Sequence, residues 1–361
     1  MSHPRHLRRL VVGLATAGLA VTLLGSPSSA TAPTSSPAGK GGTWLVGQLR
    51  HGLIHNGQFH IDDYGLTADT ALALHAVGHH RKALLDIRRA LARNVNAYIA
   101  NKTDRYAGPT AKLLVVAEDN GAAIHSFGGV DLVSRLEARV ISNPKSPSVG
   151  RIEDKSAYGD FANTVGQVFA VRGLLKAHSA SARPALDFLL QQQCARGSFR
   201  LDFTAKKGAT DQGCTAQDDP DTDVTALAVV ELWSLRNTTP ELHASLDSAV
   251  AWLRQHQRSN GSFGGGPTTA GSNSNSTGLA GWALGVAHRC YVSSRAAHWV
   301  RNQQVQGALA GTPLAGQGGA VAYDHAALRI AKQQGITGPN RDQWRRATAQ
   351  AAPALQYLHG C

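Results

Sequence analysis

Four aspartates crowd the stretch DDPDTD, at Asp218, Asp219, Asp221 and Asp223, and carboxylates at that density can hold a cation, donate a proton or cap a helix. The alternation of Asp219, Asp221 and Asp223 matches the opening of a calcium loop, whose oxygen ligands stand two residues apart. Such a loop also needs Gly at its sixth position and Glu at its twelfth, and those positions here are Val224 and Val230. An EF-hand is excluded. The run suits the start of a helix instead, with Asp223 as its cap and the neighbouring acids favoured by the positive N-terminus.

Other chemically suggestive groups are weaker. His51, His55 and His60 with Asp62 and Asp63 are metal-ligating types, but they fall in a loop of a chain with 16 histidines, where chance groupings are expected. Ser142-Asn-Pro-Lys145 has the Ser-x-x-Lys spacing of a penicillin-binding nucleophile, yet it lies in a proline-bearing connector without partner motifs, and no Gly-x-Ser-x-Gly elbow occurs. HQRSNGSFGGG (256–266) looks like a phosphate loop, but Pro267 rather than a lysine follows its glycines and no β-branched run precedes them. These residues predict no metal site and no cofactor.

The glycine-rich stretch has a different meaning, because it recurs. Gln257, Gly261 and Phe263 repeat the spacing of Gln193, Gly197 and Phe199, and a weaker copy is Gly57-Gln58-Phe59. Before the copies stand aromatic-led helical patterns, WLVGQL, FLLQQQ and WLRQHQ, and WVRNQQ from Trp299 continues the series. After them come Ala/Leu-rich helices that open on a capping oxygen at Asp69, Asp223 and Asn275, with a shorter relative from Asn163. Inner-helix candidates from Gly108 and Tyr323 bring the series to about six helical hairpins, roughly 40 to 60 residues apart, a period that stacks apolar faces into one continuous core. The expected fold is all-α, an α/α toroid in which the glycines make turns and Phe199 and Phe263 are buried between repeats. If all inner helices start at one mouth, Asp69, Asn163, Asp223 and Asn275 form a polar rim there, and that rim is the expected ligand site.

The ends bound the compartment. Arg5, Arg8 and Arg9 precede the apolar run LVVGLATAGLAVTLLG and an Ala30-Thr31-Ala32 site, so residues 1–32 read as a secretory signal peptide, 33–42 as a flexible Pro/Ser/Gly linker, and 43–361 as the toroid domain. The protein is therefore expected to be secreted or associated with the cell envelope, with no stable membrane span after processing. The formal net charge is +12, and +9 once the leader's arginines are set aside. This excess favours anionic polymers at low salt. No basic run interleaves with aromatics, so no nucleic-acid partner is expected.

Export makes Cys194, Cys214, Cys290 and Cys361 disulfide candidates. Gly197 stands about twice as far from Asp223 as Gly57 does from Asp69, and a Cys194–Cys214 bridge would tie down that longer loop. Cys290–Cys361 is then the second bridge, with a free Cys361 or an intermolecular bond as the alternatives.

The Gln-x-x-x-Gly-x-Phe spacing, together with NSTGLA and DVTALA, resembles the terpenoid cyclase and protein prenyltransferase α/α-toroid superfamily, and most of all exported actinobacterial proteins with prenyltransferase/squalene-oxidase repeats. The resemblance covers roughly residues 43–358. Its catalytic groups do not carry over. No Asp-x-Asp-Asp acid can be read in DDPDTD, aromatic content is 6%, and Asp211-Gln-Gly-Cys214 is one residue too long for the prenyltransferase zinc pair. The leading expectation is thus a toroid that binds an unidentified small molecule or cell-envelope component at its mouth without catalysis. The alternatives are an enzyme on a polyprenyl or terpenoid substrate using Asp69 or Asp223, and a glycan hydrolase or lyase with two carboxylates facing each other.

Overall fold

In the computed structural model, which describes residues 34–361, the chain runs through α1 (Pro37–Val46), α2 (Tyr64–Val77), α3 (Arg81–Arg93), α4 (Val95–Ile99), α5 (Ala107–Asp119), α6 (Leu132–Glu137) and α7 (Thr164–Lys176). It continues through α8 (Ala182–Gln191), α9 (Thr222–Leu232), α10 (Pro240–His256), α11 (Ser274–Val286), α12 (Cys290–Gln303), α13 (His325–Gln334) and α14 (Arg341–Ala351). Three short strands, β1 (Leu49–Arg50), β2 (Leu53–Asn56) and β3 (Ile61–Asp62), pair antiparallel in that order, and β4 (Ala100–Asn101) pairs with β5 (Asp104–Arg105).

Composition sorts the helices into two layers. In α11, SNSTGLAGWALGV, apolar and small residues run all the way round and ten of the thirteen are buried, which marks a helix enclosed on every side. In α3, RKALLDIRRALAR, burial is confined to Ile87, Ala90 and Leu91, so it has one inward stripe and a charged outer face. The inner layer is α2, α5, α7, α9, α11 and α14; each packs on the next, and α14 packs back on α2. The ring closes. Small residues make the approach possible, since a Cβ on Gly278 of α11 would lie 2.4 Å from the Ala351 Cα of α14.

One turn, repeated, joins the layers. Gly197 and Gly261 have φ of +99° and +89°, where a side chain is strained, and each abuts a carbonyl of the next outer helix, Ser248 or Arg295. Two residues on, Phe199 and Phe263 are 1% exposed, in agreement with the expected burial. The N–H of each donates at 2.9 Å to a threonine Oγ1 of the following inner helix, Thr225 and Thr277 respectively. The first copy is not at Gly57. It is Gly52-Leu53-Ile54, with Gly52 at φ +85° and the Ile54 N–H on Thr67 Oγ1 at 2.9 Å, while Phe59 is 65% exposed. An aliphatic residue in the aromatic position concealed it.

The same turn selects the caps. The N–H groups of Asp63, Asp221 and Asn273 donate to the carbonyls of Ile54, Phe199 and Phe263, which holds these residues outside the helix, and their side chains then cap α2, α9 and α11. Asn163 caps α7 as expected. Asp69, Asp223 and Asn275 do not cap. Asp69 is in the second turn of α2, and Asp223 and Asn275 each sit two residues beyond the true cap. A pattern of Asp or Asn with Thr four residues later, present at Asp63/Thr67, Asp221/Thr225 and Asn273/Thr277, would have found all three.

Two further expectations need correction. Residues 37–42, read as linker, begin α1: Ser36 caps it, Pro37 occupies its first turn, and Ala38, Gly39, Gly41 and Gly42 are buried. Tertiary packing overrides the glycine composition there, since a Cβ on Gly41 would meet Ala352 at 2.9 Å. The helix after Tyr323, α13, buries only Leu328 and Ala331 and lies outside; the sixth inner helix is α14. Both expected bridges are present, Cys194–Cys214 and Cys290–Cys361. The expected signal peptide lies outside the described residues.

Candidate functional site in the ring

The inner helices do not meet at the axis. They enclose a cavity of about 250 Å³ to which all six contribute. The lining residues recur at helical spacing: Asp69, Leu72 and Ala73 on α2, Val165 and Phe169 on α7, Asp223, Leu227 and Glu231 on α9, and Leu279 and Trp282 on α11. Lys112 of α5 and Gln350 of α14 complete the ring. Of the predicted rim, Asp69 and Asp223 reach this space; Asn163 and Asn275 are not among its lining residues.

A second concavity, about 530 Å³, opens beside the first and shares Leu201, Asp221 and Asp223 with it. Its walls carry Asp202, Asp218 and Asp219, and the segment from Gly266 to Thr269 borders it. The glycines of HQRSNGSFGGG therefore do more than turn the chain. A Cβ on Gly265 would stand 3.3 Å from Asp223 Oδ2, and one on Gly266 2.7 Å from Asp221 Oδ2, so the absence of side chains lets this loop lie flush against both carboxylates.

Those two acids differ. Asp221 spends Oδ1 on the Val224 N–H at 2.9 Å, the cap bond. Asp223 has a buried Oδ1 with no hydrogen-bond partner, and burial pushes its carboxyl up to about 6; the Ser276 hydroxyl beside it works downward and the Asp221 charge adds to the rise. It is an acid that holds its proton in mildly acidic water.

Eight residues along α9, the other end of the cavity carries more charge. Glu231 meets Arg172 at 3.1 Å, and Arg172 also contacts Asp119 and, at 3.9 Å, Glu118. Burial raises Glu118 and Glu231 to about 7 each, against the pull of Arg172. On the opposite wall Lys112 and Asp69 pair at 2.6 Å; burial works against the lysine's charge, but Asp69 and Tyr98 together outweigh it and the net shift is upward. The ammonium also lies 5.5 Å from the Phe169 ring centroid, a cation-π contact.

The histidine group behaves as an ordinary surface. His55 pairs with Asp62 at 2.9 Å, while Asp63 caps α2 and pairs with Arg346. Among the described residues no three His, Cys, Asp or Glu side chains are grouped to hold a metal ion. Sequence reading missed Lys112, Glu231 and Trp282. The i, i+4, i+8 series Asp223, Leu227, Glu231 was a usable signal, since it places two acids on one face of an otherwise apolar helix.

No protein-family model and no curated protein matches the chain. Solved structures do. The type II terpene cyclase MstE from Scytonema superposes with a TM-score of 0.60 at 14% identity, over 88% of this chain and 96% of that one. The unsaturated glucuronyl hydrolase of Bacillus sp. GL1 gives 0.55 at 10% identity, over 90% and 95%. A protein from Actinoplanes gives 0.58 at 15%, over 90% and 98%. At such identities the likeness is one of fold alone: the chain has the α/α-toroid fold.

Proposed function

We propose that the central cavity is a small-molecule site, with the apolar part of the ligand among Leu72, Phe169, Leu227, Leu279 and Trp282 and its polar end in the carboxylate-lined vestibule. The observation that carries this is the junction at Asp223, where a mainly apolar cavity and an acidic opening share a buried carboxyl whose Oδ1 has no hydrogen-bond partner. At about 250 Å³ the inner space is smaller than most ligand pockets, roughly 300–1,000 Å³, so the ligand extends into the vestibule. MstE has been described in complex with geranylgeranyl dihydroxybenzoate, a molecule with an apolar chain and a polar head, and this supports an isoprenoid-like ligand here.

A second reading, catalysis, is favoured by the same residue. A carboxyl that keeps its proton to about pH 6 and faces a mainly apolar chamber is suited to general-acid chemistry on a bound alkene or acetal. Export fits both readings: two disulfides suit an oxidising compartment, and no described helix is long and apolar enough to cross a membrane.

The test is native mass spectrometry of protein recovered from its own secretion medium, followed by incubation with geraniol and farnesol. A retained mass that is lost in Leu227→Arg supports the site; equal retention by that variant refutes it. Deuterium uptake into the isoprenoid from D₂O, abolished in Asp223→Asn, marks catalysis; binding without uptake leaves the carrier reading.

A further inference from the structure

The ring's seam holds a further concavity, separate from these two. Where the first helix meets the last, Trp44, Gln48, Arg50, Gln317, Arg341 and Arg345, with glycines of the 316–318 loop, border about 530 Å³ of space that shares no lining residue with the central cavity or its vestibule. Three of the lining residues are arginines and none is an acid. Arg341 Nη1 and Arg345 Nε both donate to one neutral oxygen, Gln48 Oε1, at 3.4 and 3.3 Å, so two guanidinium groups converge side by side.

Their charges are unequally balanced. Arg345, whose side chain is 8% exposed, has Asp342 at 2.7 Å and also donates to the His55 carbonyl at 2.9 Å. Arg341 and Arg50 have no ion pair among the described residues; Arg341 bonds only neutral oxygens, those of Gln48 and Ile336. Burial and the charge of Arg345 both work against the Arg341 guanidinium, which has no carboxylate of its own among the described residues to offset them. The facing wall is built for close approach: Gly316 has φ +73°, and Gln317 is fixed by the Trp44 indole N–H at 3.0 Å.

We propose that this pocket binds a small soluble oxyanion, phosphate or sulfate or a monoester of either, held by Arg341 and Arg345 with Arg50 at the entrance. Paired guanidinium forks match the geometry of such anions, and each N–H to oxygen bond is charge-assisted. Because Gln48 and Arg50 come from the start of the domain and Arg341 and Arg345 from its end, the anion fastens the seam.

Thermal unfolding of the full chain tests this, with inorganic phosphate and sodium sulfate titrated against chloride at matched ionic strength. The expected result is a saturable rise in Tm with phosphate and sulfate that chloride does not reproduce. In Arg341→Gln the midpoint of that titration moves to at least tenfold higher phosphate, while the Tm in chloride changes little. Arg50→Gln, at an exposed position, gives a second readout should Arg341→Gln fail to fold: a weakened phosphate response supports the site. Equal responses to phosphate and chloride, or a phosphate midpoint unchanged in the folded variants, overturn it.

Discussion

The Arg172 guanidinium meets the Glu231 carboxylate at 3.1 Å inside the ring, joining α7 to α9, and the same group contacts Asp119 and Glu118 of α5. One cation thus serves three carboxylates from two neighbouring helices. Arg172→Met removes it and should destabilise the fold by about 3–5 kcal/mol, the usual loss when a buried pair is broken from one side. The loss should also depend on pH. Glu118 and Glu231 titrate near 7 in the folded protein, above the ordinary 4.5, so their ionisation opposes folding as pH rises through that range. Urea unfolding at pH 6 and pH 8 should show the larger loss at pH 8; equal losses would mean that Arg172 acts through packing alone.

Asp223→Asn isolates the other carboxyl. Its folded value of about 6 exceeds the ordinary 3.8, so wild-type stability should fall as pH rises between those values, by at most about 3 kcal/mol. Asparagine cannot ionise, and the variant should unfold at a higher temperature than wild type at pH 8 and at the same temperature near pH 4. A variant less stable at pH 8 would show that the ionised carboxylate has a partner.

The turn threonines should be interchangeable in effect. Thr225→Val and Thr277→Val each strand a buried N–H, of Phe199 and Phe263 respectively, and each should lower stability by about 1–3 kcal/mol. Denaturant unfolding that detects a loss at one site and none at the other would undo the equivalence of the repeats.

Peptide mapping without reduction should recover Cys194 joined to Cys214 and Cys290 joined to Cys361. Replacing the first pair by serine should cost about 3 kcal/mol, from a loop spanning 20 residues. Four alkylatable thiols in protein purified without reductant would contradict the arrangement.

Where sequence reading succeeded and failed follows from what is local. The Gly197 and Gly261 turns were legible because a left-handed residue two positions before a buried ring is a constraint within five residues. The caps were not. Asp221 and Asp223 are equally good capping residues, and the choice between them is made by the Phe199 carbonyl, twenty-two residues away from Asp221 in the chain, which holds Asp221 in extended backbone. The same long-range bond displaced Asn275 in favour of Asn273. Asp69 failed for another reason: it belongs to a half-buried pair with Lys112, and no spacing rule links α2 to α5.

Gly319, at φ +97°, abuts the Lys40 carbonyl as Gly197 abuts Ser248 and Gly261 abuts Arg295, and Gln304 donates to both Gly319 and Pro37 just as Gln257 donates to both Gly261 and Val292. The contact that joins the end of the circuit to its beginning is therefore of the same kind as those joining successive repeats. A wheel assembled from one joint has no privileged spoke. Rewiring the order of its hairpins, by splicing residue 361 to residue 34 through a flexible connector and opening the exposed 205–211 loop, should give a chain with the wild-type helical spectrum, provided the new connector leaves Cys361 free to reach Cys290.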